Sequence, residues 1–161
     1  MAQTASPQTI DIPAQRIAAA HRQATMITGA IGATLVVYAI LVEVLKRSLP
    51  APGAIDGLDA IRIALFAVAG VAIFTATVVK SMMLRRAAAT GEARLAQLRT
   101  ASILAAAFAE LPAVLGVALF VLGRRAGDFY LLLVVSVYML ARHFPRKDAW
   151  ENFVRRGGAV R

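Results

Sequence analysis

The stretch AAAFAELPAVLGVALFVLG, residues 105–123, decides the fold of this chain. It is apolar throughout except for a single carboxylate, Glu110. Together with the apolar residues that precede it from Thr100 onward, it is long enough to cross the ~30 Å hydrocarbon core of a bilayer as a helix. A charge at the centre of such a helix costs at least about 2.5–3.5 kcal/mol. Glu110 is therefore expected to be neutral, paired or functional.

The composition of the whole chain favours a membrane protein. Hydrophobic residues make up 59% of the 161 residues, charged residues only 17%, and the mean hydropathy is +0.67. Soluble domains are about half apolar and about a quarter charged. The sequence predicts an all-α integral membrane protein with four transmembrane helices, short loops and both termini in the cytoplasm.

Four apolar stretches give the predicted domain organisation. The transmembrane domain covers 23–145, with spans at 23–45, 60–84, 100–123 and 126–144. A polar N-terminal segment, 1–22, precedes it, and a basic C-terminal tail, 146–161, follows it. The fourth apolar run is short, so it completes a crossing only with the residues at both of its ends.

The net charge of +9 indicates the orientation. The connection 85–99 and the tail are rich in Arg and Lys, whereas the loop 48–60 holds two aspartates, so the positive-inside rule places both termini and the central connection in the cytoplasm. Arg124 and Arg125 are exceptions that are outnumbered. The expected location is the cell (inner) membrane, multi-pass, with the lipid bilayer as a partner. Nucleic-acid binding is not expected, because the basic residues lie at the ends of apolar stretches and not along one polar face.

Several kinds of site are not expected. The chain has no cysteine, and its two histidines, His21 and His143, each lie at a predicted membrane boundary, where they should be solvated. They form no cluster with metal-ligand spacing, so neither a metal nor a cofactor is expected. Because the sequence has no arrangement typical of nucleophilic or paired-carboxylate catalysis, no catalytic residues are assigned and the protein is not expected to be an enzyme.

Small residues at four-residue spacing predict where helices pack closely, within the chain or between copies of it. They are Ala101, Ala105, Ala109 and Ala113 in the third span, and Gly29 and Ala33 in the first.

The tail combines aromatic and basic residues in a pattern typical of a membrane interface. Those assigned to contact with lipid are Trp150, Phe153, Arg146, Lys147, Arg155 and Arg156. The alternative interpretation is an arm that docks onto a partner.

Two further observations bear on Glu110. No Lys or Arg is predicted at its depth, which favours a neutral, protonated carboxyl over an ion pair. Pro112 follows two residues later and frees the backbone carbonyl of Phe108, so a kink or a water is expected beside the carboxyl.

Residues 59–123 resemble the helical hairpin of the proteolipid c subunits of rotary ATP synthases and ATPases. The matching pieces are AIRIALFAVAGVAIFTATVVK, RRAAATGEARLAQLR and TASILAAAFAELPAVLGVALFVL, and the local pattern AFAELPAVLG is similar to the motif around the family's proton-binding carboxylate. The resemblance implies that Glu110 binds a proton, and that Ala106, Ala113 and the packing residue Gly116 shape its surroundings. It also implies an oligomer.

Two hypotheses follow. The first is a small polytopic subunit of a multi-subunit membrane assembly that carries protons through Glu110. The second is a purely structural or accessory subunit, which packs against other membrane subunits or copies of itself and has no transport role. A small channel or transporter would need at least a dimer to enclose a path.

Overall fold

The protein is built of helices throughout the part that the structure describes. The computed structural model describes residues 13–48, 50, 56–85 and 90–155. Residues 154 and 155 are described by their backbone alone. Within these ranges it contains no strand and five helices: α1 Ala14–Ser48, α2 Leu58–Arg85, α3 Gly91–Gly123, α4 Ala126–His143 and α5 Lys147–Arg155.

The helix ends follow from local sequence. Pro13 stands directly before α1, where its fixed φ suits a helix start, and its carbonyl accepts from the Arg16 backbone N–H at 2.9 Å. Thr90 caps α3 by accepting from Ala93 N at 3.2 Å. Arg124 ends α3 in the left-handed conformation (φ 54°), so the chain reverses into α4 over two residues.

The length and apolar character of the long helices agree with the prediction of a membrane protein. Three of them, α1, α2 and α3, are each long and apolar enough to cross a membrane. A fourth span arises only if α4 and α5, which are bent by 48° at their junction, count together. The α4 helix alone has 18 residues, or about 27 Å of helix. The prediction of an all-helical fold of the membrane type is thus confirmed. The number of helices that are long and apolar enough to cross a membrane is three, or up to four.

Helix α3 lies at the centre of the bundle and contacts all four other helices. It runs antiparallel to α4, since Phe120 packs on Phe129 near one end and Ala109 packs with Met139 further along. Ala76 of α2 joins the second of these clusters. The bundle has two ends. We call the end that carries α5 the tail end, and the end with the α3–α4 connection the far end.

The alanine stripe of α3 is buried as a whole. Ala101, Ala105, Ala109 and Ala113 are all at most 2% exposed. Gly116 continues this face, and a Cβ built on it would lie 3.3 Å from Phe129 Cα and from Leu132 Cβ. The small side chains therefore let the neighbouring helices approach α3 closely.

The stripe in α1 behaves differently. Gly29 and Ala33 are exposed, and a Cβ built on Gly29 would meet nothing within 4 Å. The face of α1 that is buried in the bundle carries Ala24, Thr28, Leu35 and Val42. The stripe prediction is wrong for packing within the chain at these two positions, and contact between copies stays a prediction.

The tail forms a short helix that docks on the bundle. Trp150 and Phe153 are 3% and 9% exposed, and they pack with Ala24 of α1 and Leu98 of α3. The assignment of these two aromatic residues to lipid contact is therefore corrected: they are partners of α1 and α3. Lys147 pairs with Glu151 at 3.8 Å, whereas the side chain of Arg155 and all of Arg156 lie outside the described residues.

The basic residues at the far end have local partners. Arg62 pairs with Asp128 at 2.8 Å, and Arg125 pairs with Asp59 at 3.1 Å. Arg124 donates to the carbonyl of Leu45 at 2.9 Å. The two arginines that run against the positive-inside rule, Arg124 and Arg125, thus have partners at the far end.

Substitution of Gly116 tests the close packing around α3. We expect Gly116→Ala to destabilise the bundle by about 1–3 kcal/mol, since the new methyl group would press on the backbone of Phe129. The matched control is Gly70→Ala, where a Cβ meets nothing within 4 Å, and here the melting temperature should stay the same or rise slightly. Thermal unfolding in detergent measures both. Equal melting temperatures for the two variants would contradict the packing described.

Candidate functional site

Glu110 lies where α1 passes α3. Its Oε1 accepts two hydrogen bonds from α1, one from the Thr34 hydroxyl at 2.7 Å and one from the Tyr38 hydroxyl at 2.8 Å. All three side chains are half-buried. The carboxyl group is therefore a polar link between two helices whose other contacts are mostly apolar.

The sequence of α1 explains why both hydroxyls reach one oxygen. Residues four apart lie one above the other on the same face of a helix, so Thr34 and Tyr38 point toward α3 together. Leu35 and Val42 are buried along the same side of α1 and hold that face against the bundle. On α3, buried Ala106 stands one turn before Glu110 and leaves room for α1 to approach.

Hydroxyls and not cations surround the carboxyl group. None of the ion pairs among the described residues includes Glu110. Thr34 Oγ1 also lies 2.7 Å from the carbonyl oxygen of Ile31, one turn earlier in its own helix.

The proline in α3 also has a polar neighbour. α3 continues through Pro112, and the next backbone N–H, that of Ala113, donates to Ser136 Oγ of α4 at 2.9 Å. Ser136 is completely buried. Ser136 thus provides a polar contact for the backbone beside the proline. The kink or water expected at the Phe108 carbonyl stays a prediction.

Two further polar groups lie near the ends of the bundle. At the far end, Glu43 accepts from the hydroxyl of Tyr130 and from Lys46 Nζ, the latter at 3.3 Å. At the tail end, His143 lies against Lys80, with 3.3 Å between Nδ1 and Nζ. His143 is only 8% exposed, so the prediction that it is solvated is wrong. His21 is half-buried and its Nε2 lies 3.1 Å from the carbonyl oxygen of Pro145.

Within the described ranges, no group of three or more His, Asp or Glu side chains could hold a metal ion. The residues that the sequence singled out also do not come together in one place. Glu110 lies at the contact between α1 and α3. The alanine stripe lies on the buried surface of α3. Arg146 and Trp150 lie at the tail end, beside a cavity.

Sequence reasoning missed Thr34, Tyr38 and Ser136. A signal for the first two exists: they are polar residues at helical spacing within the apolar first span, at about the depth of Glu110. Ser136 gives a weaker signal, since a single serine in an apolar helix often bonds only to its own backbone.

A scan against protein-family models found no match, and comparisons with curated proteins and with solved structures found none either.

Two substitutions at one position test the link between α1 and α3. We expect Glu110→Ala to lower the free energy of unfolding by about 1–3 kcal/mol, since the half-buried Tyr38 hydroxyl loses its acceptor. Glu110→Gln keeps a carbonyl oxygen that can accept both hydroxyls, so its stability should stay close to that of the wild type. Denaturant unfolding followed by circular dichroism measures both, and an alanine variant as stable as the glutamine variant would contradict the link.

Proposed function

We propose that this chain is a small multi-pass subunit of the cell (inner) membrane, with both termini in the cytoplasm, which packs against other membrane subunits or copies of itself. In this proposal Glu110 is neutral and serves to hold α1 against α3. The observation that carries the proposal is the pair of hydrogen bonds from Thr34 and Tyr38, both made within one chain to one carboxyl oxygen.

The surroundings of Glu110 support a neutral carboxyl. Its hydrogen-bond partners are the hydroxyls of Thr34 and Tyr38, and none of the ion pairs of the described residues includes it. A neutral carboxyl still offers an oxygen that accepts from both hydroxyls. It also avoids the cost of an unpaired charge at this depth.

The outer face of α1 supports a role in assembly. Gly29 and Ala33 are exposed and lie one turn apart, with open space over Gly29. In lipid, such small residues allow a second helix to approach closely. Large apolar residues also lie outward on α2, where Ile63, Val71 and Phe74 are at least 65% exposed. Lipid or a neighbouring subunit would cover them.

The second candidate function is proton carriage of the kind that the c-subunit resemblance implies. The observation that favours it is that Glu110, Thr34 and Tyr38 are half-buried, so the contact between α1 and α3 is open to the surface of the bundle along these residues. A proton on Glu110 could then exchange if a polar path reached this point.

Proton flux separates the two candidates. In proteoliposomes, we expect the wild type and Glu110→Gln to give the same proton permeability, because the structural role needs only an acceptor oxygen at this position. The matched control is Glu43→Gln. Among the described carboxylates of α1 to α4, Glu43 and Glu110 are the two that form no ion pair with an arginine. Flux that depends on Glu110 and not on Glu43 would overturn the structural proposal in favour of proton carriage.

Native mass measurement in mild detergent tests assembly. We expect an oligomer for the wild type, which Gly29→Leu weakens because the bulky side chain separates the outer faces of α1. Gly70→Leu is the matched control, since Gly70 is also exposed with open space above it, on α2. A monomeric wild type, or a mass that Gly29→Leu leaves unchanged, would contradict self-association through α1.

A further inference from the structure

A cavity of about 870 Å³ lies at the tail end, between the docked helix α5 and the ends of α2, α3 and α4. Its lining includes basic side chains: Lys80 of α2, Arg142 and His143 of α4, and Arg146 of the connection to α5. It also includes apolar side chains such as Leu84 and Phe144. The cavity is therefore cationic and apolar at once.

The positive charge in the cavity has no acidic partner among the described residues. No Asp or Glu lines it, and none of the ion pairs found in the described ranges includes Lys80, Arg142 or Arg146. The nearest polar contact of the Lys80 ammonium is the ring of His143, and Arg142 contacts the hydroxyl of Tyr138 at 3.4 Å. Lys80 is half-buried, whereas Arg142 and Arg146 are exposed. An anion in the cavity would stabilise the half-buried ammonium of Lys80 in particular.

His143 provides an independent observation. The Lys80 ammonium can only donate, so His143 Nδ1 accepts and its Nε2 carries the hydrogen of the neutral ring. His143 is 8% exposed, and its Nε2 is buried without a hydrogen-bond partner. A donor left in this state costs free energy. His143 lines the cavity, so a small rotation of its ring would let a ligand oxygen accept from Nε2 and offset this cost.

We propose that this cavity binds the phosphate group of an anionic phospholipid, with Lys80, Arg142, Arg146 and His143 as its donors. Its position supports a lipid as the source of the phosphate, because it lies at the end of the long apolar helices, where headgroups meet a membrane protein. The apolar lining beside the cations would receive the start of an acyl chain. The site goes beyond the proposed function, and neither candidate function requires it.

The single tryptophan of the chain makes this proposal measurable, because Trp150 lines the cavity. Full-length protein in mild detergent is titrated with short-chain phosphatidylglycerol, and Trp150 fluorescence is followed to saturation. Phosphatidylcholine with the same acyl chains and inorganic phosphate are titrated separately. We expect a saturable change with phosphatidylglycerol, and at least tenfold weaker binding for the other two.

Neighbouring residues provide a matched pair of variants. Arg146→Gln removes a charge that lines the cavity and should weaken phosphatidylglycerol binding about tenfold or more. Lys147→Gln removes the next charge along the chain, which pairs with Glu151 and does not line the cavity, and should leave the affinity unchanged. Lys80→Gln should act as Arg146→Gln does, and circular dichroism checks that each variant is folded.

Three results would overturn the proposal. Equal weakening by Arg146→Gln and Lys147→Gln would indicate attraction by surface charge alone. Equal binding of phosphatidylcholine would show that the negative charge is not recognised. Saturation by inorganic phosphate at the same affinity would assign the site to a soluble phosphate and not to a lipid. If Lys80→Gln does not fold, Arg146→Gln with its control decides the outcome.

Discussion

Close approach of helices to α3 is the constraint on which the rest of the structure depends. The alanine face of α3 and Gly116 bring α4 near enough for the hydroxyl of Ser136 to meet the backbone beside Pro112. In lipid, apolar side chains gain little by leaving the solvent, so packing at short range and polar links decide how helices associate. Because α3 contacts every other helix, a change in its small residues affects the whole bundle.

The Glu110 contact complements this packing. α1 lacks an alanine stripe on its inner face, and it meets α3 through larger side chains together with the Thr34 and Tyr38 hydroxyls. A carboxyl group that accepts two hydroxyls fixes the position of α1 along α3, which smooth apolar faces alone would fix less well. In the sequence Glu110 is an isolated charge within an apolar segment, whereas in the structure it forms a specific contact between α1 and α3.

The sequence predicted the helices well and their contacts only in part. Apolar length and charged ends located the long helices, because crossing a bilayer imposes a minimum length. The alanine stripe in α3 is buried, whereas Gly29 and Ala33 face outward, since four-residue spacing marks a face without saying what it meets. Trp150 and Phe153 looked interfacial because aromatic residues suit lipid headgroups and protein cores alike. The hydroxyls that bind Glu110 come from a helix more than 70 positions away in the chain, and local patterns hold no information on that pairing.

The docking of α5 has a consequence for the order in which the chain folds. Trp150 packs with Ala24, so the fifth helix completes a contact with the first across most of the sequence. During synthesis, the inner face of α1 near Ala24 can pack on Leu98 of α3, but it lacks Trp150 and Phe153 until α5 has emerged, after all the long helices. The tail end of the bundle is thus the last part to close, and a chain that stops before Trp150 would present an open apolar surface there. Such a truncation should reduce the yield of folded protein in cells more than any other property.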